Sequence, residues 1–309
     1  MHPDSKSRIR SALIALSLSK PSAFVIDQHS NRIGIAWMLL TTVLLVAQDA
    51  TSRVLLRDYP IIEVTWARFF FHCLITSAFI AWRSPSAMVA QRPALQMLRS
   101  GLLLCASLFA NLGLFLLPFV DFVSIAWSAP VLLTAFSVWL LGEKVGWTAW
   151  VSVLIGMLGV LVIVRPTGAG FSFFMLVPLL AAVSNALYQI TTRVLRLSDS
   201  PVTTIFYTGF AGMIICSAIL PFVGKVPTTR DGAVMVLLGL IGGASQFCQV
   251  RAFSAAPAAV LAPFGYTSLL WAALVSTLFF SEFPSPTTLI GAALIVLGGL
   301  FTFLRERKN

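Results

Sequence analysis

A chain of 309 residues that is 58% hydrophobic and 10% charged, with a mean hydropathy of +0.92, has too little polar surface to cover a globule of that size in water. An ordinary soluble domain is excluded, and the composition is that of an integral membrane protein. The net charge of +10 would suit nucleic acid, but the basic residues are scattered through tails and connections instead of gathering with aromatics on one face, so no nucleic-acid partner is expected.

Residues 1–32 come before the first apolar span. Lys6, Arg8 and Arg10 followed by the run from Ser11 to Ser19 imitate the start of a signal peptide, but the apolar stretch is short and no convincing cleavage site follows. The segment reads as an uncleaved cytoplasmic tail, with Ile9, Leu13 and Leu16 on one face of an interfacial helix. A spanning helix needs roughly 20 apolar residues to cross about 30 Å of hydrocarbon. That measure gives ten spans, near 33–55, 61–82, 97–117, 121–141, 147–164, 173–195, 201–222, 232–255, 257–281 and 286–304, with 305–309 as a short C-terminal tail. An even count puts both termini on one side. If that side is the cytoplasm it receives fifteen basic residues, and the other receives five, Arg53, Arg57, Arg165, Lys225 and Arg230, a clear positive-inside bias.

Polar groups within a span are expensive, so each is a candidate for function. On the first span Asp49 and Arg53 are four apart, share a helix face and can pair. On the second, Glu63, Arg68 and His72 read as a local ion-pair network or as a proton relay; Asp49, Glu63 and His72 are the groups that could couple an ion. Asn111 follows on the third span, then Trp127 and Ser128 on the fourth, at about the same depth. The sixth carries Asn185, Tyr188 and Gln189, and the eighth Gln246 and Gln249 with Arg251 beyond. Amides and a phenol supply donors and acceptors without fixed charge, which suits zwitterionic or neutral polar cargo. Interhelical hydrogen bonding is the alternative use of the same side chains. Pro118, Pro130, Pro257 and Pro263 interrupt the third–fourth and eighth–ninth spans. Such paired breaks point to a hinge and a binding site. Gly156 and Gly159 with Ser152 on the fifth span, and Gly291 with Gly298 and Gly299 on the tenth, let backbones approach closely. Cys73, Cys105, Cys216 and Cys248 lie far apart inside spans, without metal-ligand spacing; disulfides, a metal site and a cofactor are not expected.

The two halves of the chain echo one another. A shift of 139 residues aligns Pro118 with Pro257, Trp127 with Tyr266, Ser137 with Ser276, Glu143 with Glu282, Thr148 with Thr287 and Gly159 with Gly298. A shift of 140 aligns the run from Thr51 to Leu55 with that from Thr191 to Leu195. Halves of five spans each must lie in the bilayer with opposite orientation, since an odd number of crossings brings the chain back on the other side. The expected fold is therefore all-α, ten transmembrane helices as two inverted five-helix repeats, 33–165 and 170–304, around a central cavity. Trp127 and Tyr266 either grip an apolar or aromatic part of the cargo or simply pack helices. Glu143 and Glu282 are expected to cap helix ends.

The doubled pattern of apolar span, small residue, Glu, Thr and glycine-rich span runs from Trp139 to Glu143 through Thr148 to Gly156 and Gly159. It runs again from Leu278 to Glu282 through Thr287 to Gly291 and Gly298. It resembles the drug/metabolite transporter superfamily, in particular its ten-span EamA-type exporter branch that includes bacterial amino-acid exporters, over residues 31–305. The resemblance implies a bacterial inner-membrane carrier that exports small polar metabolites, amino acids foremost, by alternating access; drugs, nucleotide sugars or other metabolites are the alternative cargo. Asp49 lies near the far end of its span, unlike the mid-span Glu of the four-span multidrug relatives, which argues against simple drug-for-proton antiport of that type. A P-loop is absent, which sets aside ATP-driven pumping. An intramembrane hydrolase would need a catalytic pair at matched depth, and His72 is the only histidine in a span; an enzyme is not expected, and neither is a channel. The expected partners are a small-molecule substrate, the lipid bilayer and protons as a coupling ion. The glycine seams suit a monomer or a weak dimer.

Overall fold

The computed structural model describes residues 28–83, 88–141, 147–164, 172–195, 198–256, 261 and 264–306. The regular structure among them is helical, with no strand. In chain order the helices are α1 (Gln28–Leu55), α2 (Ile61–Arg83), α3 (Pro93–Leu116), α4 (Phe119–Ala126), α5 (Ala129–Leu141), α6 (Trp147–Val164), α7 (Leu176–Leu195), α8 (Pro201–Tyr207), α9 (Phe210–Val223), α10 (Thr229–Ala255), α11 (Thr267–Phe280) and α12 (Pro286–Glu306). Seven segments are long and apolar enough to cross a bilayer: Asn31–Leu55, Ile61–Ala78, Pro93–Leu116, Phe119–Leu140, Phe173–Leu195, Val202–Val223 and Thr229–Ala252. Leu154–Ile163, Thr267–Phe280 and Pro286–Gly298 are shorter apolar helices.

Local chemistry sets the helix ends. Pro93 opens α3 where its missing N–H costs nothing. Ser200 caps α8 by accepting from the Thr203 N–H, and Thr228 caps α10 by accepting from the Asp231 N–H. After α11, Ser281 takes a left-handed conformation at φ 55°, a place that glycine usually fills. The Glu282 N–H then donates back to the Ser276 carbonyl at 3.1 Å, and the Ser276 hydroxyl donates to the Glu282 carbonyl at 3.1 Å.

The breaks differ in part from those expected. Pro118 stands between helices, capping α4. The fourth span is interrupted at Trp127 and Ser128, and Pro130 falls in the first turn of α5, where a proline is tolerated. Pro257 and Pro263 lie outside the described residues, as does Glu143. A further break, which no proline marks, divides the segment Val202–Val223 at Thr208 and Gly209. A Cβ at Gly209 would lie 2.8 Å from Cys73 Sγ, and one at Gly212 would lie 2.2 Å from the Phe69 ring, so α9 meets α2 too closely for a side chain.

The packing joins the first half of the chain to the second: α1 lies on α10, α2 on α9 and α10, α3 on α7, α4 on α11, and α6 on α12. The glycine seam between α6 and α12 is an internal contact. A Cβ at Gly159 would lie 2.6 Å from the Gly291 carbonyl oxygen and 2.9 Å from Ile295, and one at Gly291 would lie 2.4 Å from Ile163. Leu40, Val43, Leu74, Leu154, Ile214 and Leu289 are exposed, as lipid-facing positions require. Trp82, Trp139 and Trp147, also exposed, sit at helix ends where an aromatic belt belongs.

Candidate functional site

Hydrogen bonds sort the helix ends into two faces. On one, Arg53 near the end of α1 donates from Nη2 to Glu282 Oε1 at 2.6 Å, and Glu282 Oε2 accepts the Phe119 N–H at 2.8 Å. The guanidinium also lies over Phe280, 4.8 Å from the ring centroid. Glu282 therefore caps a helix, as expected, but the helix is α4 of the other half, and the left-handed turn at Ser281 aims it there. Arg53, Leu56, Arg57, Leu114, Phe115, Phe280 and Glu282 line a cleft of about 190 Å³ on this face. Nearby, Tyr59 donates to Asp231 at 2.8 Å and accepts the Thr228 N–H at 3.2 Å. Glu63 accepts the Lys225 N–H at 2.9 Å, and the Thr288 hydroxyl donates to Asp121.

The pairing of Asp49 with Arg53 is not realised. Arg53 is taken by Glu282, and Asp49 interacts instead with Arg68 on α2. Of the expected network of Glu63, Arg68 and His72, Glu63 drops out because it is turned to the Lys225 backbone, while Arg68 still acts on His72. An i,i+4 spacing puts two groups on one helix face, but the neighbouring helices decide which partner they meet.

On the opposite face the centre is Arg99, one of the fifteen basic residues that the positive-inside bias assigns to the cytoplasmic side. It is 3% exposed and donates to Thr192 Oγ1 (2.7 Å), the Thr204 carbonyl (3.0 Å), Thr208 Oγ1 (3.2 Å) and Tyr188 Oη (2.6 Å). Its guanidinium lies over the Tyr188 ring at 4.4 Å. All of these acceptors are neutral. Beside it, Gln96 donates to Asp199 at 3.0 Å, and Asp199 accepts the Gln91 N–H at 2.7 Å. The signal for this hub was Pro93: a helix starting there, four residues before the expected span, carries Arg99 two turns into the bundle.

Between the faces stand the candidate cargo residues. Trp127 closes α4 and Tyr266 precedes α11, and their rings are 5.9 Å apart with planes at 53°. The Trp127 ring also lies against Gly265, where a Cβ would come within 3.3 Å. Asn185, Tyr188, Gln189, Gln246 and Gln249 are all half-buried, and Gln189 donates to Asn185 at 3.5 Å. Asn111 is 1% exposed and donates to Thr65 Oγ1 at 2.8 Å, so its amide is spent on joining α3 to α2. Ser128 is fully buried, and its hydroxyl has no hydrogen-bond partner among the described residues. No group of His, Cys, Asp or Glu among the described residues could hold a metal.

An apolar, lipid-facing exterior around interior polar side chains and interrupted helices defines a multi-pass membrane protein of the transporter class. The chain belongs to the EamA-like transporter family, whose profile matches it twice, over residues 32–165 and 172–304. Three relatives are named for different cargo. The S-adenosylmethionine uptake transporter of Rickettsia bellii (strain RML369-C) is 29% identical over 276 residues, 89% of this chain and 95% of that one. The riboflavin transporter of Rhizobium johnstonii is 25% identical over 93% of this chain and 96% of its own. The pseudopaline exporter of Pseudomonas aeruginosa is 28% identical over 59% and 64%. A crystal structure with 21% sequence identity shares the fold, with a TM-score of 0.64 over 91% of this chain and 98% of that one.

Proposed function

We propose that this protein is a ten-span secondary transporter for small metabolites that carry an amino-acid head, free amino acids included, working by alternating access in a bacterial inner membrane. The observation that carries the reading is the contact between Trp127 and Tyr266. These are aromatics of the two halves, 139 residues apart, each at a helix end within the bundle. Helix ends at that depth expose backbone polar groups, which are tolerated where they line a cavity, and the half-buried Trp127 ring, backed by the buried Tyr266, offers a surface for an apolar or aromatic part of the cargo. Half-buried Asn185, Tyr188, Gln189, Gln246 and Gln249 supply uncharged hydrogen-bonding groups for the rest of the cargo.

The inverted arrangement of halves 33–165 and 170–304, with tails at 1–32 and 305–309 in the cytoplasm, is supported by the packing. Exchanging the two halves turns the contact of α1 with α10 into that of α7 with α3, and leaves those of α2 with α9 and α6 with α12 unchanged. Seven long and three shorter apolar helices accommodate the ten spans. Pro118 precedes the interrupted segment Phe119–Leu140 and Pro130 follows its break; both serve as hinges together with Pro257 and Pro263, which the repeat aligns with that region of the first half. Protons are the coupling ion, with Glu63 and His72 among the groups that would answer to them. Whatever the coupling, cycling in one direction needs cargo or ion to bind the two states unequally.

S-adenosylmethionine, the cargo named for the Rickettsia relative, has an amino-acid head and an aromatic base and so falls in this class. Export is the direction that the sequence resemblance implies; relatives carry both uptake and export names. The test is flux in liposomes holding only the purified protein, measured in both directions with and without a pH gradient, for labelled phenylalanine, leucine, S-adenosylmethionine, riboflavin, a nucleotide sugar and a cationic dye. Flux of phenylalanine, leucine or S-adenosylmethionine is the expected result. Movement of riboflavin, the nucleotide sugar or the dye in their place would overturn the cargo class and leave the fold intact.

A further inference from the structure

Asp49 and Arg68 are charged side chains within the apolar lengths of α1 and α2, where an ionised group is costly and normally paired. They interact electrostatically, yet the ion pair found within 4 Å among the described residues is that of Arg53 with Glu282, and neither Asp49 nor Arg68 hydrogen-bonds to another described side chain. Both keep some accessible surface. On α1 the helical period places Asp49 away from the exposed Leu40, Val43 and Val54, so that surface belongs to the interior. Two opposite charges act on each other, each partly accessible, without an ion pair within 4 Å.

The surroundings extend the site. Arg68 also acts electrostatically on Tyr188 and on His72, and Arg99 acts on His72, so polar groups run on from α2 toward α7 and α3. His72, one turn from Arg68, is 5% exposed; its ring faces the Ile205 backbone, while Nε2 forms no hydrogen bond of normal geometry.

We propose that Asp49 and Arg68 form the receptor for a zwitterionic head group, Arg68 taking the carboxylate and Asp49 the ammonium. The proposal rests on the interior cargo site described above and moves Asp49 from ion coupling to cargo recognition. A zwitterion neutralises both groups at once and adds no net charge to the bundle. An amine or an acid alone leaves Arg68 or Asp49 unpaired in a poorly solvated place, and that asymmetry makes the pair a filter for the head rather than the body of the cargo.

The test uses the full chain in liposomes with labelled phenylalanine as probe and compares competition by phenylalanine, phenethylamine and 3-phenylpropionate, which share one body and differ in the head. S-adenosylmethionine and its decarboxylated form make a second series, with labelled S-adenosylmethionine as probe. Loss of one charge-assisted contact should weaken competition about tenfold or more. Arg68→Gln should bring phenethylamine level with phenylalanine, and Asp49→Asn should do the same for 3-phenylpropionate, each change leaving the other preference in place. Reading a ratio separates recognition from general damage. Arg68→Lys and Asp49→Glu, which keep the charges, should retain the preferences and show that these positions tolerate change. Amino-acid flux with ratios unchanged in Arg68→Gln and Asp49→Asn would overturn the receptor alone; absence of flux for every amino-acid-headed probe would overturn the functional reading and the receptor with it.

Discussion

Removing Glu282 should break a contact that spans the two halves, and the structure sets its size. The carboxylate accepts from Arg53 at 2.6 Å and from the Phe119 N–H at 2.8 Å. Pro118 offers α4 no side-chain cap of its own, so Glu282→Ala loses a helix cap, about 1 kcal/mol. It also leaves Arg53, whose Nη1 already lacks a partner, with only the rings of Phe280 and Phe119. A hydrogen bond to a charged group contributes about 1.5–3 kcal/mol. With the side chains 15% and 30% exposed, the lower end applies, because solvent screens the pair. The total is about 2–3 kcal/mol for Glu282→Ala and about 1 kcal/mol for Glu282→Gln, which keeps an oxygen for the Phe119 N–H. The assay is unfolding in mixed micelles over a double-mutant cycle with Arg53→Met, alongside transport. A coupling of about 1–2 kcal/mol is expected, and one below about 0.5 kcal/mol would mean that the pair is independent. Transport lost at wild-type stability would refute the capping role outright and place Glu282 on the cargo path.

Other expectations rest on separate contacts. Gly159→Ala should destabilise by about 1–3 kcal/mol, since the new Cβ meets the Gly291 carbonyl at 2.6 Å and α6 and α12 must part. Gly101→Ala, where nothing lies within 4 Å, should leave the unfolding midpoint unchanged or raise it. Tyr59→Phe should lower the unfolding midpoint by removing the bridge to Asp231 and Thr228. The hydrogen bond that Tyr59 donates to Asp231 raises the phenol above its ordinary pKa of 10.0. The stabilisation is therefore full below pH 10 and lost as pH rises through the folded value; a wild-type advantage that persisted at higher pH would contradict it. Trp127→Ala and Gln246→Ala should alter cargo preference in the liposome panel at normal yield and folding; unchanged transport by both would remove them from the cavity.

Much of the architecture is legible in the sequence, because a bilayer imposes its rule on composition: uninterrupted apolar runs of about 20 residues cross it as helices. The small residues at Gly159 and Gly291 announced close helix contact, although their spacing did not say that each would face the other. The 139-residue shift brought Trp127 and Tyr266 together as candidates, and their rings do touch. Side-chain direction was not legible. Helices that are apolar nearly all round carry little rotational information, so Asn111 looked as available to cargo as Gln246 until its bond to Thr65 was seen.

The sequence by itself determined the solvent of this protein, its helical content and its family, since hydrophobicity and repeat spacing are properties of the chain read locally. Only the tertiary structure decided the partners of its charges. Arg53 turned from Asp49, four residues away, to Glu282 on another helix. Asp49 was left facing Arg68, and Arg99 became the centre of a neutral cage built from α7, α8 and the turn that follows α8. Electrostatic pairing depends on distance in space, and in a bundle of apolar helices the packing of neighbours sets that distance.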